Sequence, residues 1–230
     1  MKTIRTLVTV VFTAALVAAC SGRRSQERST STTGTASAEM AAGKSSVVFD
    51  AVGDATKQAR GYQDIVRAEV RKQGGSFVFA QQLAAPVPES PTVPPGADVI
   101  DWVCGLDTDS TASPAGYPQG DANPWEFFVE LRRYRPGFTD PLDPTRSAGI
   151  LIDRRPLLAG GQATITPIKF SIEGARITWV VDAALLGDPA TFKWGCGTPW
   201  AQGGHDVKHG YSDIELFDRA PDVGHVTWPQ

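Results

Sequence analysis

Residues 163–182 read ATITPIKFSI, then EGA, then RITWVVD. Both longer runs are rich in the β-branched and aromatic residues that suit a pleated, half-buried surface. Glu173-Gly174-Ala175 supplies a tight connection between them, with glycine free to take the backbone angles a hairpin demands. The stretch reads as strands over 163–172 and 176–182 joined by a hairpin. Directly after it, Asp182-Ala-Ala-Leu-Leu-Gly187 reads as one helical turn, with Asp182 as N-cap and Gly187 as terminator.

The same texture recurs on either side. SFVFAQQL (76–83), DVIDWVCGLD (98–107), WEFFVELR (125–132), AGILID (148–153) and TFKWGCGT (191–198) are short and apolar or aromatic, bounded by turn formers. All 17 prolines fall between Pro86 and Pro229, and 23 glycines add further turn positions, which excludes long helices. Seven short strands predict an all-β fold, an antiparallel β-sandwich of jelly-roll or immunoglobulin-like type. The segment 56–72 is ambiguous. Tyr62, Ile65, Val66, Glu69 and Val70 have helical spacing, while Val66, Ala68 and Val70 alternate as a strand that would turn at Gly74-Gly75.

The chain has 230 residues, 41% hydrophobic and 20% charged, enough apolar material for a buried core. Its formal net charge is -3, and no basic run exceeds a pair of arginines. That excludes a nucleic-acid binder, which needs a basic face to neutralise phosphates.

The N-terminus has its own logic. Lys2 and Arg5 precede an apolar stretch from Leu7 to Ala19, shorter than the ~20 residues a spanning helix needs. It ends in Leu16-Val17-Ala18-Ala19-Cys20, which resembles the bacterial lipobox. The resemblance implies a signal peptide over 1–19, cleaved before Cys20, with Cys20 lipidated. Over 21–46, 11 of 26 residues are Ser or Thr, and no Val, Leu, Ile or aromatic residue occurs. Residues 20–46 therefore read as a disordered tether, and 47–230 as one sandwich domain. Once the leader and the mildly basic tether are set aside, that domain carries a formal charge of -7. The expected place is the extracytoplasmic face of a bacterial membrane, reached through the lipid anchor.

Several elements occur in a familiar order: Asp50-Ala-Val-Gly-Asp54, Asp64-Ile65, Leu83-Ala84, Trp102 with Leu106-Asp107-Thr108-Asp109, Phe127-Phe128-Val129, Ile177 to Val181, Leu185-Leu186-Gly187-Asp188-Pro189 with Phe192-Lys193-Trp194, and Asp218-Arg-Ala-Pro-Asp222. Over roughly 48–224 the set resembles the extracellular β-sandwiches of family-9 carbohydrate-binding modules and related DOMON domains. The resemblance implies that the Asp64-Ile65 segment is a strand. It also implies a binding role, for sugars, haem or other ligands. Haem ligation in the DOMON branch uses a Met/His pair, and the one Met beyond the initiator, Met40, lies in the tether, so no haem is expected.

With Cys20 committed to lipid, Cys104 and Cys196 remain as an even pair for an oxidising compartment. Each stands two residues after a tryptophan in a predicted strand, so a 104–196 disulfide would place both indoles on one side of one core. Trp102, Trp179 and Trp194, mid-strand, read as core. A sugar site needs an exposed aromatic platform beside polar groups. Tyr117, Trp125, Trp200 and Tyr211, in or beside loops, are the candidates, with Tyr134 a further one, and 108–124 and 199–217 the candidate loops. The competing reading has these aromatics tucked over the sandwich ends.

Asp107 and Asp109, with Asp50 and Asp54 near, offer oxygen ligands for Ca²⁺, against an Asx-type turn. His205 and His209 have metal-binding spacing only on a helix, and the glycines around them indicate a loop. Glu126 and Glu130 share strand parity, as a glycosidase pair would, but read as a solvated face. No hydrolase elbow, phosphate loop or zincin motif is present. The expectation is a non-catalytic, ligand-binding envelope lipoprotein. The alternatives are a structural or protein-interaction lipoprotein and an accessory domain of a hydrolase system.

Overall fold

The computed structural model describes residues 43–109, 125–140, 149–201 and 214–230. Among these, β1 (Ser45–Phe49), β2 (Ile65–Gln73), β3 (Ser76–Leu83), β4 (Val99–Asp107), β5 (Phe127–Tyr134), β6 (Gly149–Asp153), β7 (Thr164–Pro167), β8 (Lys169–Glu173), β9 (Arg176–Asp182), β10 (Phe192–Ala201), β11 (Ile214–Ala220) and β12 (Val226–Trp228) form two antiparallel sheets. The smaller sheet runs β1-β2-β3-β9-β8. The larger runs β11-β10-β4-β5-β6-β7, with β12 also pairing with β10. Their inner faces share one hydrophobic core, and the fold is the expected antiparallel sandwich.

The 163–182 stretch folds with one break. Glu173 pairs with Arg176 around Gly174, whose φ of 61° suits glycine. Asp182 caps the 3₁₀ turn Ala183–Leu186 by accepting the Ala184 N–H at 3.0 Å. The predicted strand 163–172 divides at Ile168. Residues 164–167 pair with β6, whereas 169–173 pair with β9. β7 is the edge of its sheet, where a proline is tolerated, and the Ile168 N–H still reaches the Gly149 carbonyl at 3.0 Å before the chain crosses to the other sheet.

The segment 56–72 is a 3₁₀ turn (Gly61–Gln63) followed by β2. A register shift between Ile65 and Arg67 explains the mixed periodicity. The bulge turns Ile65 and Ala68, three residues apart, toward the same core, which imitates helical spacing. β5 lies two residues beyond its expected range, and β1, β11 and β12 lie outside all the expected strands. β1 begins at Ser45, within the segment read as tether. Buried Ser46 fastens it, its hydroxyl donating to the Thr227 carbonyl (3.2 Å) and accepting from Trp194 Nε1 (3.0 Å).

Alternation then fixes the core. Ile100, Trp102, Cys104 and Leu106 of β4 point inward, as do Phe127, Val129 and Leu131 of β5 and Phe192, Trp194 and Cys196 of β10. Trp102, Trp179 and Trp194 are each 0% exposed, as their mid-strand positions predict. Trp102 donates to the Tyr62 carbonyl at 2.8 Å. Phe77, Phe192 and Trp228 close one end of the core in edge-on and stacked contacts 4.9–5.3 Å apart. Cys104 and Cys196 are bonded, with Cα atoms 4.0 Å apart. They are direct register partners on adjacent strands, so the bridge lies within the larger sheet, and both neighbouring indoles face the core.

Candidate functional site

The outer face of the larger sheet carries the odd-numbered residues of β4 and β10. At its centre stand Gly105 and Gly195, register partners, with Gly197 one pleat along. A strand interior of glycines has no side chains to fill the face, which leaves a trough. Phe128 lies opposite Gly105 on β5, and Leu216, Arg219, Pro221 and Gly224 form the other wall. The result is a cavity of about 360 Å³.

Trp125 lines this cavity. A Cβ built on Gly105 would come within 2.6 Å of the Trp125 indole, so the ring is seated on the bare backbone. The Trp125 position is set from behind. Buried Arg154 donates to the Trp125 carbonyl at 2.8 Å, and its guanidinium lies over the Phe128 ring, 5.4 Å from the centroid. Phe128, Ile150 and Ile152, with Val103, Trp125 and Ile165 packed against them, make a second apolar cluster on this outer face.

Trp200 is placed elsewhere. It stands opposite Ile100 on β10 and packs, half-buried, against the core between the sheets. Trp125 and Trp200 therefore occupy opposite faces of one sheet and share no site. Tyr134 ends β5, within 3.4 Å of Asp140. Tyr117, Tyr211, His205, His209 and Cys20 lie outside the described residues. The glycines and Arg219 were not singled out from sequence. Their signal was available, because glycines in alternate positions of a strand pattern mark close approach to that backbone.

The two glutamates require a correction. Glu126 and Glu130 are 2% and 0% exposed, so neither belongs to a solvated face. Glu126 accepts the backbone N–H groups of Thr108 (2.9 Å) and Asp109 (3.1 Å), and the Thr108 hydroxyl as well. Asp107 instead faces Lys193 across the ladder at 3.7 Å. The backbone N–H groups of Thr108 and Asp109 are thus satisfied by Glu126, the residue just ahead of β5. Among the described residues, neither Asp107 nor Asp109 belongs to a group of three metal-ligand atoms.

Asp50 and Asp54 do belong to such groups. Oxygens of Asp50, Asp54 and Asp222 lie within 4.8 Å of one another, and so do those of Asp54, Asp64 and Asp218. The β1–β2 connection is brought to β11 by the Thr56 N–H, which donates to the Phe217 carbonyl at 2.8 Å. Asp218 accepts from the backbone of Ile65 (2.5 Å) and Arg219 (2.8 Å). Burial raises Asp50 to about 6, reinforced by Asp218, Asp222 and Asp54. Burial likewise raises Asp218 to about 6 against its backbone hydrogen bonds, with Asp54 and Asp64 adding to the rise. A carboxyl raised on folding binds more protons in the folded state, so its contribution is favourable below 3.8 and is lost as pH climbs through about 6.

Fold and site together define an antiparallel two-sheet sandwich with an aromatic-lined groove on one outer face and an acidic cluster beside it. No family model matches this chain, and no curated protein matches it.

Proposed function

We propose that the chain is an exported, lipid-anchored protein whose sandwich is a non-catalytic binding module, taking a sugar-like ligand in the groove beside Trp125. The carrying observation is the seat of that indole on Gly105, beside two further glycines that strip side chains from the centre of the sheet. A pyranose presents an apolar C–H face and a polar rim. An aromatic ring suits the first, and Arg219 with the glycine-rich backbone offers donors and acceptors for the second. A volume of about 360 Å³ accommodates one or two sugar rings. The lipobox-like Leu16–Cys20 and the Ser/Thr-rich segment behind it support the address.

The test is a glycan array probed with the full chain in detergent, followed by affinities of Trp125→Ala and Gly105→Ala. Loss of the indole should cost on the order of 1–3 kcal/mol, the scale of aromatic stacking in other ligand complexes. Gly105→Ala should weaken binding too, by pushing the ring off its seat. A glycan bound equally by the wild type and both folded variants would falsify the site. Silence across the array would favour a protein-interaction role.

A further inference from the structure

The structure assigns a second site, for a hard divalent cation of Ca²⁺ type, to the carboxylates of Asp50, Asp54, Asp64, Asp218 and Asp222 at the junction of the β1–β2 connection and β11. This goes beyond the groove and does not depend on what the groove binds.

Three observations carry it. First, the spacing fits. Oxygens facing each other across a Ca²⁺ ion with ligand distances of ~2.3–2.6 Å stand roughly 4.6–5.2 Å apart. Each of the two triads keeps its oxygens within 4.8 Å, and Asp54 is common to both. Second, the cluster contains buried oxygens that nothing satisfies. Asp64 is only 7% exposed; its Oδ2 accepts the Gly53 N–H at 2.8 Å, while Oδ1 has no hydrogen-bond partner. Asp50 Oδ2 is buried and unpartnered in the other triad. A buried carboxylate oxygen left without a donor is costly, and a cation is the partner that several such oxygens can share. Third, among the described residues no Lys, Arg or His forms an ion pair with any of the five, although other acids of the chain, such as Glu69 and Asp188, are paired. The ligand set is all oxygen, which selects Ca²⁺ over zinc or copper.

The site also touches the groove through one short segment. Asp222 belongs to a triad, and Pro221 and Gly224 on either side of it line the groove. A cation held there would fix the wall that faces Trp125.

The experiment uses the full chain in detergent, stripped with EDTA, and follows thermal unfolding at pH 7.5 as CaCl₂ rises to about 10 mM, a range set by the weaker extracellular Ca²⁺ modules. A parallel titration uses NaCl at matched ionic strength. The expected result is a saturable rise in Tm with CaCl₂ alone, and heat of binding by calorimetry. Asp54→Asn removes the carboxylate common to both triads from an exposed side chain, and should weaken Ca²⁺ at least ~tenfold, since charge count sets affinity in such sites. It should leave the metal-free Tm unchanged or raise it. Asp222→Asn, also exposed, serves as the second variant and should weaken Ca²⁺ in the same direction. Absence of a Ca²⁺-dependent rise in the wild type overturns the assignment. So does an equal rise with NaCl, which is screening of a repulsive cluster, or a Ca²⁺ response unchanged in both variants.

Discussion

Arg132 is fully buried between two acids, its Nε 2.9 Å from Glu130 Oε2 and its Nη1 3.5 Å from Asp140 Oδ2. All three side chains are on or beside β5, and all are closed to solvent. Charges taken out of water are stable only while they hold one another. Arg132→Met should therefore cost roughly 3–5 kcal/mol, because it takes the buried cation away from both Glu130 and Asp140 in a dry site. The double change Glu130→Leu/Arg132→Met should cost less than the single one. Urea denaturation of the three proteins decides this, and a single variant as stable as the wild type would remove the argument. The sequence placed Glu130 on the right strand and gave its parity correctly. Parity tells which face a side chain takes, and it carries no information on how deeply that face is covered.

At the scale of elements, the disulfide joins two strands that already lie side by side. Cys104 and Cys196 are 92 residues apart in sequence and directly opposite in register. Closing so long a loop restricts the unfolded chain by up to ~4–5 kcal/mol in the chain-entropy account. Cys104→Ala/Cys196→Ala should therefore lower Tm markedly, and dithiothreitol should lower the wild type to the same value. Equal Tm with and without reductant, after thiol titration shows complete reduction, would contradict it. The pairing was readable from counting cysteines. That it lies within one sheet was not, because strand order depends on contacts between segments far apart in sequence. β1 and β12 were missed for a related reason. Each is short, and each is held by partners such as Ser46, Thr227 and Trp194 that only the folded chain brings together.

At the scale of the whole molecule, the described residues of the sandwich belong to one compact unit. The N-terminal segment ahead of it carries the proposed address. If Cys20 bears the lipid, Cys20→Ala should leave the sandwich folded yet move the protein from the membrane fraction to the soluble one, or halt its processing. Fractionation and the mass of the mature protein measure this directly. Unchanged partition and unchanged mass would sink the anchor. Among the described residues, no helix is long and apolar enough to cross a membrane.

The sequence by itself determined what local chemistry determines. Proline and glycine spacing excluded long helices, β-branched and aromatic runs set the strands 76–83 and 176–182, and Asp182 with Gly187 bounded one turn. Those signals act within a few residues of where they are written. The tertiary structure decided what depends on strand order and on the depth of each face. It seated Trp125 on Gly105 while sending Trp200 to the opposite face, and it buried Glu126 and Glu130. It also drew Asp50, Asp54, Asp64, Asp218 and Asp222 to one junction from both ends of the domain. No local pattern records such meetings, because the energy that makes them is the burial of two whole sheets against each other.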